Sequence, residues 1–172
     1  MPERKIIRII NFVKTIIMKM RQFKYLPFML LLFASVVQAK IKVVDGDSIF
    51  IDKREIRLSG IDAPEYHQLC YDENGQEYEC GQEALKALRQ LAGPDLQCKT
   101  LVRDRYKREV AVCESNGINI NKKMVEIGWA VAYKRYTNDY DQAEKEAKKK
   151  KRGIWQGRFM KPELYRILHK KQ

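Results

Sequence analysis

"KIKVVDGDSIFIDKREIRLSGIDA", residues 40–63, decides the fold. Its apolar runs Val43–Val44, Ile49–Ile51 and Ile56–Leu58 are rich in β-branched and aliphatic residues. Asp45–Gly46 and the "DKRE" at 52–55 break between them, so the segment reads as strand, turn, strand, turn, strand. The same stretch is dense in charge: Asp47, Arg57 and Asp62 fall within it and Glu65 just after it. Arg57 alternates with Ile56 and Leu58, so its side chain leaves the opposite face of the strand from that apolar pair.

Working outward, residues 66–80 are polar, contain "DENGQE", and read as a loop. "GQEALKALRQLA", 81–92, is helical, with Ala84, Leu85, Leu88 and Leu91 on one face. "QCKTLVRDRYKREVAVC", 97–113, reads as a β-hairpin turning near Arg105–Tyr106, and Asn116–Gly117 marks a second hairpin. Asn121 is placed to cap a helix over "KKMVEIGWA", and a last helix runs from about Asp139 to Arg152, stopped by Gly153. Three strands, a helix, two or three strands and two helices make an α+β domain. Five short strands with a helix between the third and fourth suit a five-stranded OB-type β-barrel with three α-helices.

The 172 residues suffice for one domain with a real core. Of the net charge of +12, residues 40–172 keep +6, because residues 1–39 hold seven Lys/Arg and one Glu. A basic balance suits polyanions and also solubility, and it does not choose between them. Residues 1–39 read as a signal peptide: a basic stretch, the apolar run "FMLLLFASVV", then "VQA" with cleavage after Ala39. The long basic region leaves Met18 or Met20 as alternative starts. Residues 40–172 are then the mature domain, secreted or periplasmic. In that setting Cys70, Cys80, Cys98 and Cys113 suggest two disulfides. Three pairings exist, and the local one, Cys70–Cys80 with Cys98–Cys113, is the simplest. No C-x-x-C pair is present and the histidines are His67 and His169, which argues against zinc.

Asp47 after a turn and Asp62 at a strand end are placed to hold a hard cation through oxygen ligands. With Arg57, an arginine from "DRYKR" (104–108) and the Glu65 carboxylate, they supply what phosphodiester cleavage needs: cationic charge near the phosphorus and a base for water. Surface clusters of this kind are commonly solvated ion pairs, so spacing alone does not settle the matter.

"VVDGDS", "IRLSGIDAPE", "DRYKR", "NGININ", "GWAVAY" and "AEKEAKKKKRGIW" occur in the order seen in the staphylococcal nuclease family, which the chain resembles over about residues 41–156. The resemblance implies the OB barrel and a Ca²⁺-dependent nuclease of low sequence specificity, acting on DNA and RNA and leaving 3′-phosphates. Asp47 and Asp62 match the calcium carboxylates, and Ala63 the position that supplies a backbone carbonyl. Arg57 and Arg108 match the arginines on the scissile phosphate, and Glu65 the general base. Tyr106 and Tyr133 match the nucleotide pocket, with Tyr136 a further candidate. Asp45 resembles an acid that supports the ligands. Ser48 stands where a Thr is frequent, and Lys107 replaces the Gly of "DRYGR". A left-handed Lys107 there would be strained, and it is read as a substrate contact. Cysteines in secreted relatives support the local disulfides. His67 reads as a loop residue, and Trp129 and Trp155 as core.

The rival is a non-catalytic OB-type nucleic-acid binder, for which paired carboxylates have no use. No stable protein partner is expected; the domain is read as a monomer that meets a membrane only through its signal segment during export.

Overall fold

The computed structural model describes residues 39–134 and 137–169. The targeting segment, Ala39 excepted, lies outside them. The main sheet holds β1 (Ile41–Val43), β2 (Ser48–Ile51), β3 (Arg54–Leu58), β7 (Gln97–Arg103) and β8 (Glu109–Ser115) in the order β1-β2-β3-β8-β7, with β9 (Ile118–Asn119) on β8. It is mixed: β3 and β8 run parallel, Arg57 opposite Val110, and the other pairs are antiparallel. Two short pairs complete the strands, β4 (Ile61–Asp62) with β10 (Val131–Ala132) and β5 (Cys70–Tyr71) with β6 (Glu77–Tyr78). Among the described residues four α-helices occur: α1 (Cys80–Leu91), α2 (Ile120–Glu126), α3 (Asp141–Lys149) and α4 (Pro162–Leu168). The class is α+β.

The three-strand reading of residues 40–63 holds, and the tight turns closing β2–β3 and β8–β9 follow from residue chemistry. Asp52 takes φ +56°, closing β2–β3 in two residues. Asn116 and Gly117 take φ +51° and +71°, the paired positive values that match the twist of a tight hairpin. Cys98 and Cys113 face one another across β7–β8 and are bonded, as are Cys70 and Cys80. The core lies between the sheet and the helices, where Ile49, Ile56, Leu58, Leu88, Ile120 and Met124 are almost fully buried. Ala84, Leu85 and Leu88 form the buried face of α1, with Leu91 partly buried at its end.

Four expectations need correction. Residues 66–80 are not wholly loop, since β5 and β6 pair within them under the Cys70–Cys80 bond. The cap of α2 is Asn119, which accepts from the Lys122 N–H at 2.9 Å. Asn121 sits one residue inside the helix and is fully buried. Its Oδ1 accepts the Cys113 N–H at 3.0 Å, and its Nδ2 donates to the Ser59 and Ala111 carbonyls at 2.9 and 3.0 Å. One amide thus joins α2, β8 and the turn after β3, a bonding pattern that no local motif encodes. Next, α3 ends at Lys149 rather than at Arg152; Lys151 takes φ +50°, and Gly153 opens a short 3-10 turn, Gly153–Gln156. Finally, three helices were expected and α4 is a fourth. It starts at a buried Pro162, whose fixed φ and missing N–H suit the first helical turn.

The Asp104–Lys107 turn closes through Lys107 N–H to the Asp104 carbonyl at 2.9 Å, and Lys107 takes φ +68°. A lysine there bears about 1 kcal/mol or more of strain that glycine lacks. Lys107→Gly should therefore raise the stability read from a denaturant melt by about 1 kcal/mol, less the greater chain entropy of glycine when unfolded. Asn121→Ala should lower it by about 3 kcal/mol or more, because three buried backbone groups lose their partner. Urea melts at constant slope test both.

Candidate active site

Asp47 is placed by its neighbour. A Cβ on Gly46 would stand 2.5 Å from the Ala63 Cβ and 2.8 Å from the Ala84 Cβ, so only glycine lets this turn pack onto α1 and the segment after β4. The close approach sets Asp47 against Ala63, whose N–H donates to Asp47 Oδ2 at 2.9 Å, while Ser48 Oγ donates to Oδ1 at 3.1 Å. Asp45 Oδ1 accepts the Asp47 N–H at 3.0 Å. Burial, and then the charge of Asp47, push the Asp45 carboxyl up to about 7.

Arg57 rises from β3 between the two aspartates. Its Nη1 donates to Asp47 Oδ1 at 2.5 Å and its Nη2 to Asp62 Oδ1 at 2.8 Å. Both carboxylates are about 2% exposed, so each would cost several kcal/mol of desolvation if left without a cation. Burial works against the Arg57 charge, but Asp47 and Asp62 outweigh it and hold its pKa above the ordinary value. Burial raises Asp62, opposed by its arginine partners.

Arg166, on α4, was not anticipated. Its Nη1 donates to Asp62 Oδ1 at 2.8 Å and to Glu65 Oε1 at 2.7 Å, and its Nη2 to Asp62 Oδ2 at 3.1 Å. Burial disfavours its charge, yet bonds to Asp62 and Glu65 win and raise its pKa. The family-like motifs stop near residue 156; the cue beyond them was "KPELYRIL", a proline followed by helix formers.

Arg108 is held by the turn that precedes it. Asp104 Oδ1 accepts the Tyr106 and Arg108 N–H groups at 2.9 and 3.0 Å, and Oδ2 accepts Arg108 Nε at 2.8 Å. Burial pushes Asp104 upward, but the Arg108 bonds dominate and lower its pKa. Tyr106 is exposed at the tip, with the Arg105 and Arg108 guanidinium carbons 4.8 and 5.5 Å from its ring centre. Lys107 is exposed beside it.

Arg57, Glu65, Tyr106, Arg108, Tyr133 and Arg166 line one open cleft of about 730 Å³ together with Asp45 and Asp104. Asp47 and Asp62 join it through Arg57. Tyr133 Oη bonds Glu163 Oε1 at 3.3 Å on the cleft wall. Tyr136 lies outside the described residues. His67 stands apart with His169 in a second cleft of about 780 Å³, lined also by Tyr71, Phe159 and Tyr165. Trp129 and Trp155 pack against the core clusters. The four cysteines form two disulfides, Cys70–Cys80 and Cys98–Cys113, and none of them lines the cleft.

The donor set suits a hard cation: two buried carboxylates and no soft ligand. Among the described residues, however, no three His, Cys, Asp or Glu side chains are grouped as a ready metal cage. The arginines stand between the acids instead.

The family profile "Staphylococcal nuclease homologue" matches residues 55–157, so Asp47 precedes the matched part. The "Succinoglycan biosynthesis protein ExoI" of Rhizobium meliloti is 39% identical over 66% of this chain, which spans 61% of that protein. An "Uncharacterized endonuclease" of Escherichia coli O157:H7 is 33% identical over 77% of this chain and 89% of its own length. Another "Uncharacterized endonuclease", from Haemophilus influenzae, is 34% identical over 67% of this chain and 64% of its own. With over half its length matched by that profile, the chain belongs to the staphylococcal nuclease homologue family.

Proposed function

We propose that this endonuclease of the staphylococcal nuclease family is exported, works as a monomer and uses Ca²⁺ to hydrolyse phosphodiester bonds of DNA and RNA with little sequence preference. The carrying observation is the Arg57 guanidinium held between two buried aspartates in the cleft that Glu65 and Arg108 also face. A pure binding module gains nothing from burying two carboxylates, since they repel the phosphates it must attract. Two disulfides and the basic-apolar-small pattern of residues 1–39 support export and a mature domain from Lys40. The strand order, with β3 parallel to β8, supports closure of the sheet as an OB-type barrel.

In this reading Asp47 and Asp62, with the Ala63 carbonyl, hold the cation, which supplies positive charge beside the phosphate. Arg57 and Arg108 bind the phosphate oxygens and oppose the charge that grows on them. Asp104 aims Arg108, since three of its bonds fix the turn and the guanidinium together. Glu65, about a third exposed, is open to water and takes its proton. Tyr106, Lys107 and Tyr133 border the nucleotide.

Chelation should abolish cleavage of single-stranded DNA, and Mg²⁺ should restore less than Ca²⁺ because it demands tighter octahedral geometry. Full turnover in excess chelator would refute the calcium reading. Arg108→Ala should lower the rate at least about a hundredfold with a near-normal melt, as expected for losing a charge partner of the transition state. Arg57→Ala should lower both rate and stability, because it removes the arginine bonded to buried Asp47 and one of the two on Asp62. Paired kinetics and thermal melts separate the two arginines.

A further inference from the structure

We infer that Arg166 is the resident counter-ion of the cation site, which a divalent cation must displace in order to bind Asp62. Both Asp62 oxygens are occupied: Oδ1 accepts from Arg57 and Arg166 at 2.8 Å each, and Oδ2 from Arg166 at 3.1 Å. A calcium ion sits about 2.3–2.6 Å from its carboxylate oxygens, so it would stand against the guanidinium with like charge and compete for the same lone pairs. Both arginines bridge two acids and line the cleft, but Arg57 is 19% exposed on the central strand β3, whereas Arg166 is 34% exposed on the short C-terminal helix. Arg166 is therefore the one that yields.

The arrangement is built into the fold. Gln68 is fully buried; its Oε1 accepts the Glu65 N–H at 3.2 Å and its Nε2 donates to the Met160 carbonyl at 2.6 Å. A single side chain thus ties the Glu65 segment to the approach of α4. Tyr71 and Arg158 exchange backbone bonds at 2.8 and 2.9 Å, and Tyr165 Oη donates to the His67 carbonyl at 3.3 Å. Helix α4 is thereby fastened with Arg166 over the acids. The same guanidinium bridges Asp62 to Glu65, which it holds at 2.7 Å.

This inference rests on the calcium reading, and calorimetric titration of Ca²⁺ without substrate separates the two. If Arg166 is docked nine-tenths of the time or more, apparent affinity is reduced about tenfold or more. Arg166→Gln should then bind Ca²⁺ at least about tenfold more tightly than wild type, with Arg166→Lys between them because lysine lacks the planar fork. The lysine variant remains decisive should the glutamine variant not fold. Equal affinity in all folded proteins, or weaker binding on losing Arg166, would overturn the inference and leave the calcium site standing. Tighter binding by Arg166→Gln with Arg166→Lys unchanged would assign the effect to charge alone and overturn the displacement. Absence of Ca²⁺ binding in every protein would overturn the calcium reading and this inference with it.

Discussion

Buried negative charge at the mouth of the sheet is the constraint to which the rest of the site answers. Asp47 and Asp62 are almost wholly withdrawn from water, and ionised carboxylates persist there only beside cations. Arg57 meets that demand from β3, and Arg166 adds to it from a helix 104 residues downstream of Asp62. Such a charge set is a weak source of stability, because desolvation consumes most of the Coulombic gain. It is well suited to function, since buried acids held by displaceable cations are ready to exchange those cations for others.

The scaffold makes this arrangement rigid where rigidity serves it. Parallel pairing of β3 with β8 carries Arg57 beside Val110, so the first predicted phosphate arginine sits on β3 and the second, Arg108, just before the start of the adjoining strand β8. Asn121 joins the turn after β3, β8 and α2 through three bonds, and the Cys98–Cys113 bond locks β7 to β8. The β7–β8 tip is otherwise stiffened by Asp104, whose carboxylate accepts three donors, so the strain at Lys107 is borne by a turn with several compensating bonds. Helix α4 contrasts with this in length and cover: its approach is fastened through Gln68 and the Tyr71–Arg158 bonds, but the helix is seven residues long, with Ile167 and Leu168 about 60% exposed. A group intended to leave is better placed on such an element than on a central strand.

What the sequence by itself determined was local. The alternation around Arg57, the Asn-Gly and Asp-Gly turns, the apolar face of α1, and the proximity of Cys98 to Cys113 across a hairpin are all written within a few residues of one another. The charged positions of "DGDS", "IDAPE" and "DRYKR" were legible as a group because their motifs occur in order. Only the tertiary structure decided the rest. Gly46 reads as a turn residue, yet its decisive property is space against Ala63 and Ala84. Asn121 reads as a cap, yet it faces backbone groups from β8 and the turn after β3, while the neighbouring Asn119 takes the cap. Arg166 reads as one basic residue among many. Its role depends on which carboxylates the folded chain brings within hydrogen-bonding distance, and that is a property of long-range packing that no spacing in the sequence records.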